Sequence, residues 1–504
     1  MRPSAAFAAI CVLALVAYAR SFTSPFHFDD YGQILENPAV RTRTPGVLWY
    51  WGRSRVIPYA TLALNFRLGE ENPLGYHAVN FGIHLLATLS VFCLALALCR
   101  TPALAGSPVA ARSVIFATGS ALLFACHPIQ VQAVTYIVQR ATAMATMFYV
   151  AAVAAYVEGR NDRSWLAYAV AVTMAIGAIF SKESAASLPL AIALVEWLFY
   201  PGPGICARLL RLAPVLFLLL AIPLPWVLLA SAPASASLID RLAAQVHAAI
   251  DTLLANADPY QRTSALGYFA TQCTVIPRYL ALVFLPWGFN VDPDVPFAAG
   301  VSPAVLAGFV FLAGLAVAGF SAARRWPLIG FAVLWVFVAL SVESSFLPIS
   351  DPMMEHRMYL AMPGIVLAVS AIFVGLFARF PRPAAVVAVT AVAVLISLTI
   401  ARNEVWRSSL SLWQDALEKS PNKARVHVNV GASLHQLDRL DDAIRHYCRA
   451  LELDPHNREA EYNLEAAVEA RGFGAEAAVG GEGAAGGEGL VLMVEDPREA
   501  CKDH

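Results

Sequence analysis

The feature that most constrains this chain is a succession of apolar runs, each close to the length that crosses a lipid bilayer. A span needs roughly 20 apolar residues, fewer when it is packed inside a bundle. Runs at about 4–22, 76–99, 109–126, 141–157, 164–180, 186–200, 209–230, 303–320, 326–342, 359–378 and 383–401 meet that description, so about eleven crossings are expected. With 58% hydrophobic and 14% charged residues over 504 positions, the chain carries too little charge to cover an ordinary soluble enzyme. In lipid every backbone polar group must find its partner within the fold, and helices do this segment by segment. The expected class is an all-α, polytopic helical membrane protein.

Orientation follows from the short loops, because Lys and Arg resist translocation. With the N-terminus inside, the inner connections hold Arg100 and Arg112, Arg160 and Arg163, Arg208 and Arg211, Arg324 and Arg325, and Arg379 and Arg382. The outer connections are then 22–75, 127–140, 181–184, 231–302 and 342–358, where the acidic residues gather. An apolar stretch at 271–288 would break this parity by crossing, and it carries Pro277 and Arg278 near its middle. It reads as a re-entrant or interfacial element, with a true crossing as the alternative. The apolar run from Ala5 to Ala19 reads as the first span, with a cleaved secretory signal as the alternative.

An odd number of crossings puts everything after Arg402 outside. There the sequence changes character. Gly431, Leu434, Ala443, Tyr447, Ala450 and Pro455 stand at the spacings of a 34-residue tetratricopeptide repeat. Trp413, Ala416 and Pro421 occupy matching places one period earlier, and Arg458 to Arg471 supplies a further helix. The organisation expected is a membrane domain at 1–402, short repeat helices at 403–471, and a disordered Gly/Ala/Glu-rich tail at 472–504. The eight cysteines contain no C-x-x-C pair and read as packing residues. A net charge of -1 and the lack of a basic block exclude nucleic acid as a partner.

Ionisable groups near a membrane are costly and are therefore functional candidates. Four groups fall on the expected outer face. The first is Phe28-Asp29-Asp30; adjacent residues point apart on any regular backbone, so either one carboxylate suits a general base and the other an orienting role, or the pair belongs to a solvated loop that caps the amphipathic stretch around Val47 to Trp51. The second is His127-Pro128 through Arg140, where a guanidinium either grips a phosphate by two parallel hydrogen bonds or reaches for headgroups. The third is Lys182-Glu183, a cation for a phosphate or a simple ion pair. The fourth is Asp351, Glu355, His356, Arg357 and Tyr359, a dense set in one loop. No metal-ligand spacing stands out, although a divalent ion would suit phosphate chemistry.

These motifs, in this order and followed by tetratricopeptide helices, resemble the transmembrane and tetratricopeptide repeat-containing protein O-mannosyltransferases and their bacterial relatives. The likeness carries Asn37, Val40 and Gly364 along with the charged residues and runs to about Arg471. It implies a GT-C type membrane glycosyltransferase taking a sugar from a polyprenyl- or dolichyl-phosphate carrier, with a protein or glycan acceptor. Asp29 and Asp30 match the family's acidic motif. Arg140, Lys182, His356 and Arg357 match cations expected near the donor phosphate, with His127, Glu183, Arg278, Asp351, Glu355 and Tyr359 as further pocket candidates. The compact tail and the Ala-rich spans suit a bacterial inner membrane, with the repeats facing the periplasm and open to a protein partner. A transporter or flippase is the competing reading, expected to place charges at mid-bilayer in duplicated spans. A non-catalytic repeat scaffold is another.

Overall fold

The computed structural model describes residues 3–41, 46–47, 55–202 and 263–479, together with Arg498, Ala500 and Cys501. Among these the secondary structure is helical throughout. The chain divides into two compact units: one comprises Met1–Phe289 and Pro296–Glu404, the other Asn290–Val295 and Val405–His504.

The longer helices of the first unit, numbered in chain order, are α1 (Pro3–Tyr18), α2 (Val56–Gly69), α3 (Pro73–Cys99), α4 (Ser113–Cys126), α5 (Arg140–Asp162), α6 (Trp165–Ile179), α7 (Leu188–Phe199), α8 (Ala265–Phe284), α9 (Pro303–Ala323), α10 (Pro327–Leu340), α11 (Met358–Arg379) and α12 (Pro381–Val405). Among the described residues, six helical segments are long and apolar enough to cross a membrane; the bent pair Ala110–Cys126 and Pro128–Thr135, broken by 54°, is a broken span or a re-entrant loop and makes seven if counted as one span. The break falls at His127-Pro128, where proline's missing N–H and its ring end the helix before it. This measure stops short of the eleven crossings expected. The segments at 164–180, 186–200 and 326–342 form helices of 15, 12 and 14 residues, below the usual length, and 209–230 lies outside the described residues. Long apolar helices with Val317, Val386 and Val389 exposed are the mark of an integral membrane protein.

Helix α8 occupies the stretch expected to re-enter. Pro277 within it withdraws the donor that the Cys273 carbonyl needs, and Gly308 of α9 lies directly against that carbonyl. A side chain at 308 would overlap the carbonyl, so the close crossing of α8 and α9 requires glycine there. Gly364 has the same role on α11. A Cβ there would stand 2.8 Å from Cβ of Trp335 on α10, whose indole N–H donates to the Leu360 carbonyl at 2.8 Å.

The second unit is built from α13 (Ser409–Lys419), α14 (Ala424–His435), α15 (Leu440–Leu453) and α16 (Arg458–Val479), each packed on the next. Ser408 opens α13 with a reciprocal capping box to Ser411. Gly431 lets the Tyr447 ring approach, since a Cβ there would lie 2.6 Å from Cε1. The strip Asn290–Val295 packs with these helices: Asp292 takes Lys423 Nζ at 2.6 Å and Arg425 Nε at 2.9 Å, which together hold its carboxyl below the usual range despite burial. The backbone of α16 continues past the expected boundary at 472. One expectation is corrected. Cys448 and Cys501, read as packing residues, form a disulfide across 53 residues with their Cα atoms 5.5 Å apart. Nearby, Arg498 donates to the Pro455 carbonyl and to Glu461, each at 3.1 Å, so the chain folds back on α15 and α16.

Two measurements check these contacts. Gly364→Val is expected to cost about 1–3 kcal/mol through overpacking against Trp335, read as a lower unfolding temperature of the detergent-solubilised chain. Cys448 and Cys501 are expected to take an alkylating reagent only after reduction, read by peptide mass.

Candidate functional site

The candidate site gathers where the first loop, the 127–140 segment, the 181–187 turn and the 341–357 loop meet within the first unit. The foundation is Arg140. It is wholly buried, and its donors go to Asn80 Oδ1 at 2.6 Å, the Tyr76 carbonyl at 3.0 Å and Thr61 Oγ1 at 3.3 Å. Asn80 in turn donates to the Val134 and Ile137 carbonyls at 3.2 and 3.3 Å. One guanidinium therefore ties α2, α3 and the start of α5 together.

The acidic motif docks on the same segment. Phe26, Ile34, Val40, Leu62, Tyr76 and Ile137 form an apolar cluster beneath it. Asp30 is fully buried, and its two oxygens accept from the Val138 N–H at 2.8 Å and the His27 N–H at 3.0 Å. Burial pushes its carboxyl up to about 8, an effect that the two backbone N–H groups only partly offset. Asp29 is exposed. Its N–H donates to the Tyr136 hydroxyl at 2.9 Å, and Phe28 before it holds φ at 44°, a left-handed conformation that a bulky residue adopts only under constraint. Backbone strain of this kind concentrates at functional sites. Tyr59 on α2 faces the charges of Arg55, Glu183 and Asp29, which brings the exposed carboxylate into the same neighbourhood as a cation.

The cations form the rest of the site. Arg55 grips Glu183, with Nη2 to Oε2 at 2.9 Å. Lys182 is buried; its ammonium meets Glu343 at 2.7 Å and Thr142 Oγ1 at 2.9 Å. Desolvation is the largest influence on Lys182 and leaves its affinity for protons below the ordinary level despite Glu343. Arg357 is buried and donates to the Pro352 carbonyl at 3.0 Å, the Asp351 carbonyl at 2.6 Å and the Tyr268 hydroxyl at 3.1 Å. His356 sits against Gln132, its N–H 2.8 Å and its Nδ1 3.1 Å from Oε1. Helix α8 is the back wall: Tyr268 donates to the Glu343 carbonyl at 2.7 Å, Gln272 to the Pro352 carbonyl at 2.8 Å, and the Tyr279 hydroxyl accepts from Met354 N–H at 2.7 Å.

The residues expected at the site thus separate. Asp29, Lys182, Glu183, His356 and Arg357 share one region, and Asp351 contributes its carbonyl to it. Asp30 and Arg140 lie beneath, spent on backbone and buried side-chain partners. His127 is also spent, with Nε2 2.9 Å from the Val283 carbonyl and Nδ1 accepting from Ile129 N–H at 3.1 Å. Glu355 pairs with Arg402 at 3.3 Å, Tyr359 meets His84 at 2.7 Å inside the bundle, and Arg278 is exposed on α8. Sequence reasoning missed Arg55, Glu343, Tyr268 and Gln132. Arg55 and Glu343 carried a faint signal as charges in outer loops; Tyr268 and Gln132 carried none. Among the described residues, no three His, Cys, Asp or Glu side chains converge on a metal-sized space.

A buried cation cluster beside an exposed carboxylate, held on an apolar helical bundle, defines a membrane protein with a built polar site. Known proteins similar to it over most of its length include protein O-mannosyl-transferases. Protein O-mannosyl-transferase F38B6.6 of Caenorhabditis elegans is 26% identical over 470 residues, covering 88% of this chain and 62% of the relative. Protein O-mannosyl-transferase TMTC4 of Mus musculus is 24% identical, covering 86% and 64%, and TMTC3 of the same species is 25% identical, covering 90% and 52%. The chain therefore spans between about half and two thirds of the length of these relatives. No family model matches the chain, and no solved structure does.

Replacing Arg140 with Met is expected to strand the Asn80 and Tyr76 acceptors, each worth about 1–3 kcal/mol when left buried without a donor. The yield of folded, monodisperse protein should collapse, whereas an Arg that only touched headgroups would be replaced without loss.

Proposed function

We propose that the chain is a membrane glycosyltransferase that moves a mannose-like hexose from a polyprenyl-phosphate carrier to a hydroxyl of a protein or other acceptor. The observation that carries the reading is the set of cations built into the outer loops, Arg55 on Glu183 at 2.9 Å, Lys182 on Glu343 at 2.7 Å and Arg357 on Tyr268 at 3.1 Å, together with an exposed Asp29 on the first loop. The names of the relatives supply the reaction class.

In this reading Asp29 accepts the proton of the acceptor hydroxyl as its oxygen bonds to the anomeric carbon. The bond from that carbon to the phosphate oxygen breaks, and the lipid phosphate leaves with the electron pair. Lys182, Arg55 and Arg357 stabilise the departing charge, and being already fixed they need no reorganisation at that moment. Asp30 has the proton affinity of a good base near neutral pH, but geometry comes first: a carboxyl with both oxygens on backbone donors and no exposed surface meets no acceptor. We therefore assign Asp30, Arg140 and His127 to positioning.

The orientation that fits this chemistry has the N-terminus inside, about eleven crossings in all, and the site at the outer face of a bacterial inner membrane. The Cys448–Cys501 disulfide supports an outer location for the second unit, because such bonds persist in oxidising compartments. We read α13 to α16 as tetratricopeptide helices, supported by the Gly431–Tyr447 contact, and assign them the docking of a protein partner or acceptor.

The test is transfer of labelled sugar from a panel of polyprenyl-phosphate donors by purified wild-type protein, Asp29→Asn and Asp30→Asn. Asp29→Asn is expected to lose about 10²–10⁴-fold in rate with unchanged thermal stability. Asp30→Asn sets an amide N–H against a backbone N–H and is expected to lose about 1–3 kcal/mol of stability. A fully active Asp29→Asn would remove the base assignment; a wild-type protein inactive with every donor would remove the glycosyltransferase reading.

A further inference from the structure

Resting on that reading, the arrangement around Lys182 assigns a role to a residue that the expected motifs omit: we propose that Glu343 is a resident counter-ion of the donor-phosphate site, holding the Lys182 ammonium until the lipid phosphate displaces it. Lys182 and Glu343 meet at 2.7 Å, with side chains only 7% and 16% exposed. The Glu343 carboxylate also faces the charges of Arg357 and Arg55. Burial pushes that carboxyl up, and the three cations more than offset it, so it stays ionised.

Arg55, Lys182 and Arg357 all face the Glu343 carboxylate, whereas Glu183 is already gripped by Arg55. Arg357 directs its hydrogen bonds to two carbonyls and a tyrosine hydroxyl, all neutral. A phosphate that takes the place of the Glu343 carboxylate faces the same three cations. Glu343 stands where such an anion bonds Lys182.

The exchange needs little motion of the backbone. Tyr268 donates to the Glu343 carbonyl and accepts from Arg357, so the main chain at 343 stays tied to the cluster while the flexible side chain rotates away. A resident carboxylate lowers apparent affinity by the fraction of time it occupies the cation, and it prevents Lys182 from standing buried and uncompensated in the meantime. An uncharged lipid gains nothing by entering, so the same competition selects for phosphate.

The experiment measures binding of a polyprenyl monophosphate, with the parent polyprenol as the uncharged control, to the full chain in nanodiscs. Glu343→Gln is expected to lower the Kd for the phosphate about fivefold or more, without changing polyprenol binding. Lys182→Met is expected to weaken phosphate binding and to remove the gain when combined with Glu343→Gln. If Glu343 serves only the fold, Glu343→Gln binds the phosphate equally or more weakly, and the proposal fails. Glu343→Asp, one methylene shorter, guards against misfolding of the Gln variant and should also bind more tightly; failure of both variants to fold assigns Glu343 to stability and overturns the proposal. Phosphate binding by wild type without a gain in the variants removes only the counter-ion role, whereas no phosphate-dependent binding by any form removes the lipid-phosphate reading as well.

Discussion

A fully buried guanidinium is the constraint from which the rest of the first unit follows. Arg140 keeps its charge only if carbonyl, amide and hydroxyl oxygens come to it, and the chain supplies them from α2 and α3. Once Asn80 and Tyr76 are fixed in this way, the 134–138 backbone is fixed too, through Asn80. Val138 then offers its N–H to Asp30, and the first loop has one place to land. The position of Asp29 is thus set by a residue that is itself wholly buried. Breaking one partner of such a network costs more than the network contributes over an apolar core, so its value lies in the single geometry it enforces.

The long spans were legible because lipid asks only for length and apolarity, which composition records directly. The helices of the second unit were legible for a similar reason: Gly431, Tyr447 and Ala450 are spaced as in helices packed in pairs. The charged residues were legible as candidates but not in their roles. At a span boundary, Arg140 has the same sequence context whether it reaches a headgroup, holds a phosphate or ties the fold. The difference lies in Thr61, Tyr76 and Asn80, some sixty to eighty positions away, which no local pattern brings together. Glu343 was illegible because its meaning depends on Lys182 across the bundle. The disulfide was illegible because Cys501 lies in a stretch whose composition argues against any packed partner.

The motifs share a further regularity. Three of the four are runs of adjacent ionisable residues, and neighbours in a chain face different ways. In Asp29-Asp30 the second residue is buried on backbone donors while the first is exposed. In Lys182-Glu183 the ammonium turns toward Thr142 and Glu343, and the carboxylate toward Arg55. In Glu355-His356-Arg357 the three side chains separate to Arg402, Gln132 and the 351–352 carbonyls. At Asp29-Asp30 placement is coupled to exposure: the buried Asp30 spends its oxygens on the fold, and by doing so fixes the backbone on which Asp29 is presented. Sequence shows two equal candidates there, and burial separates them. That asymmetry is why mutational loss at such motifs has to be divided between stability and chemistry before either member is given a catalytic role.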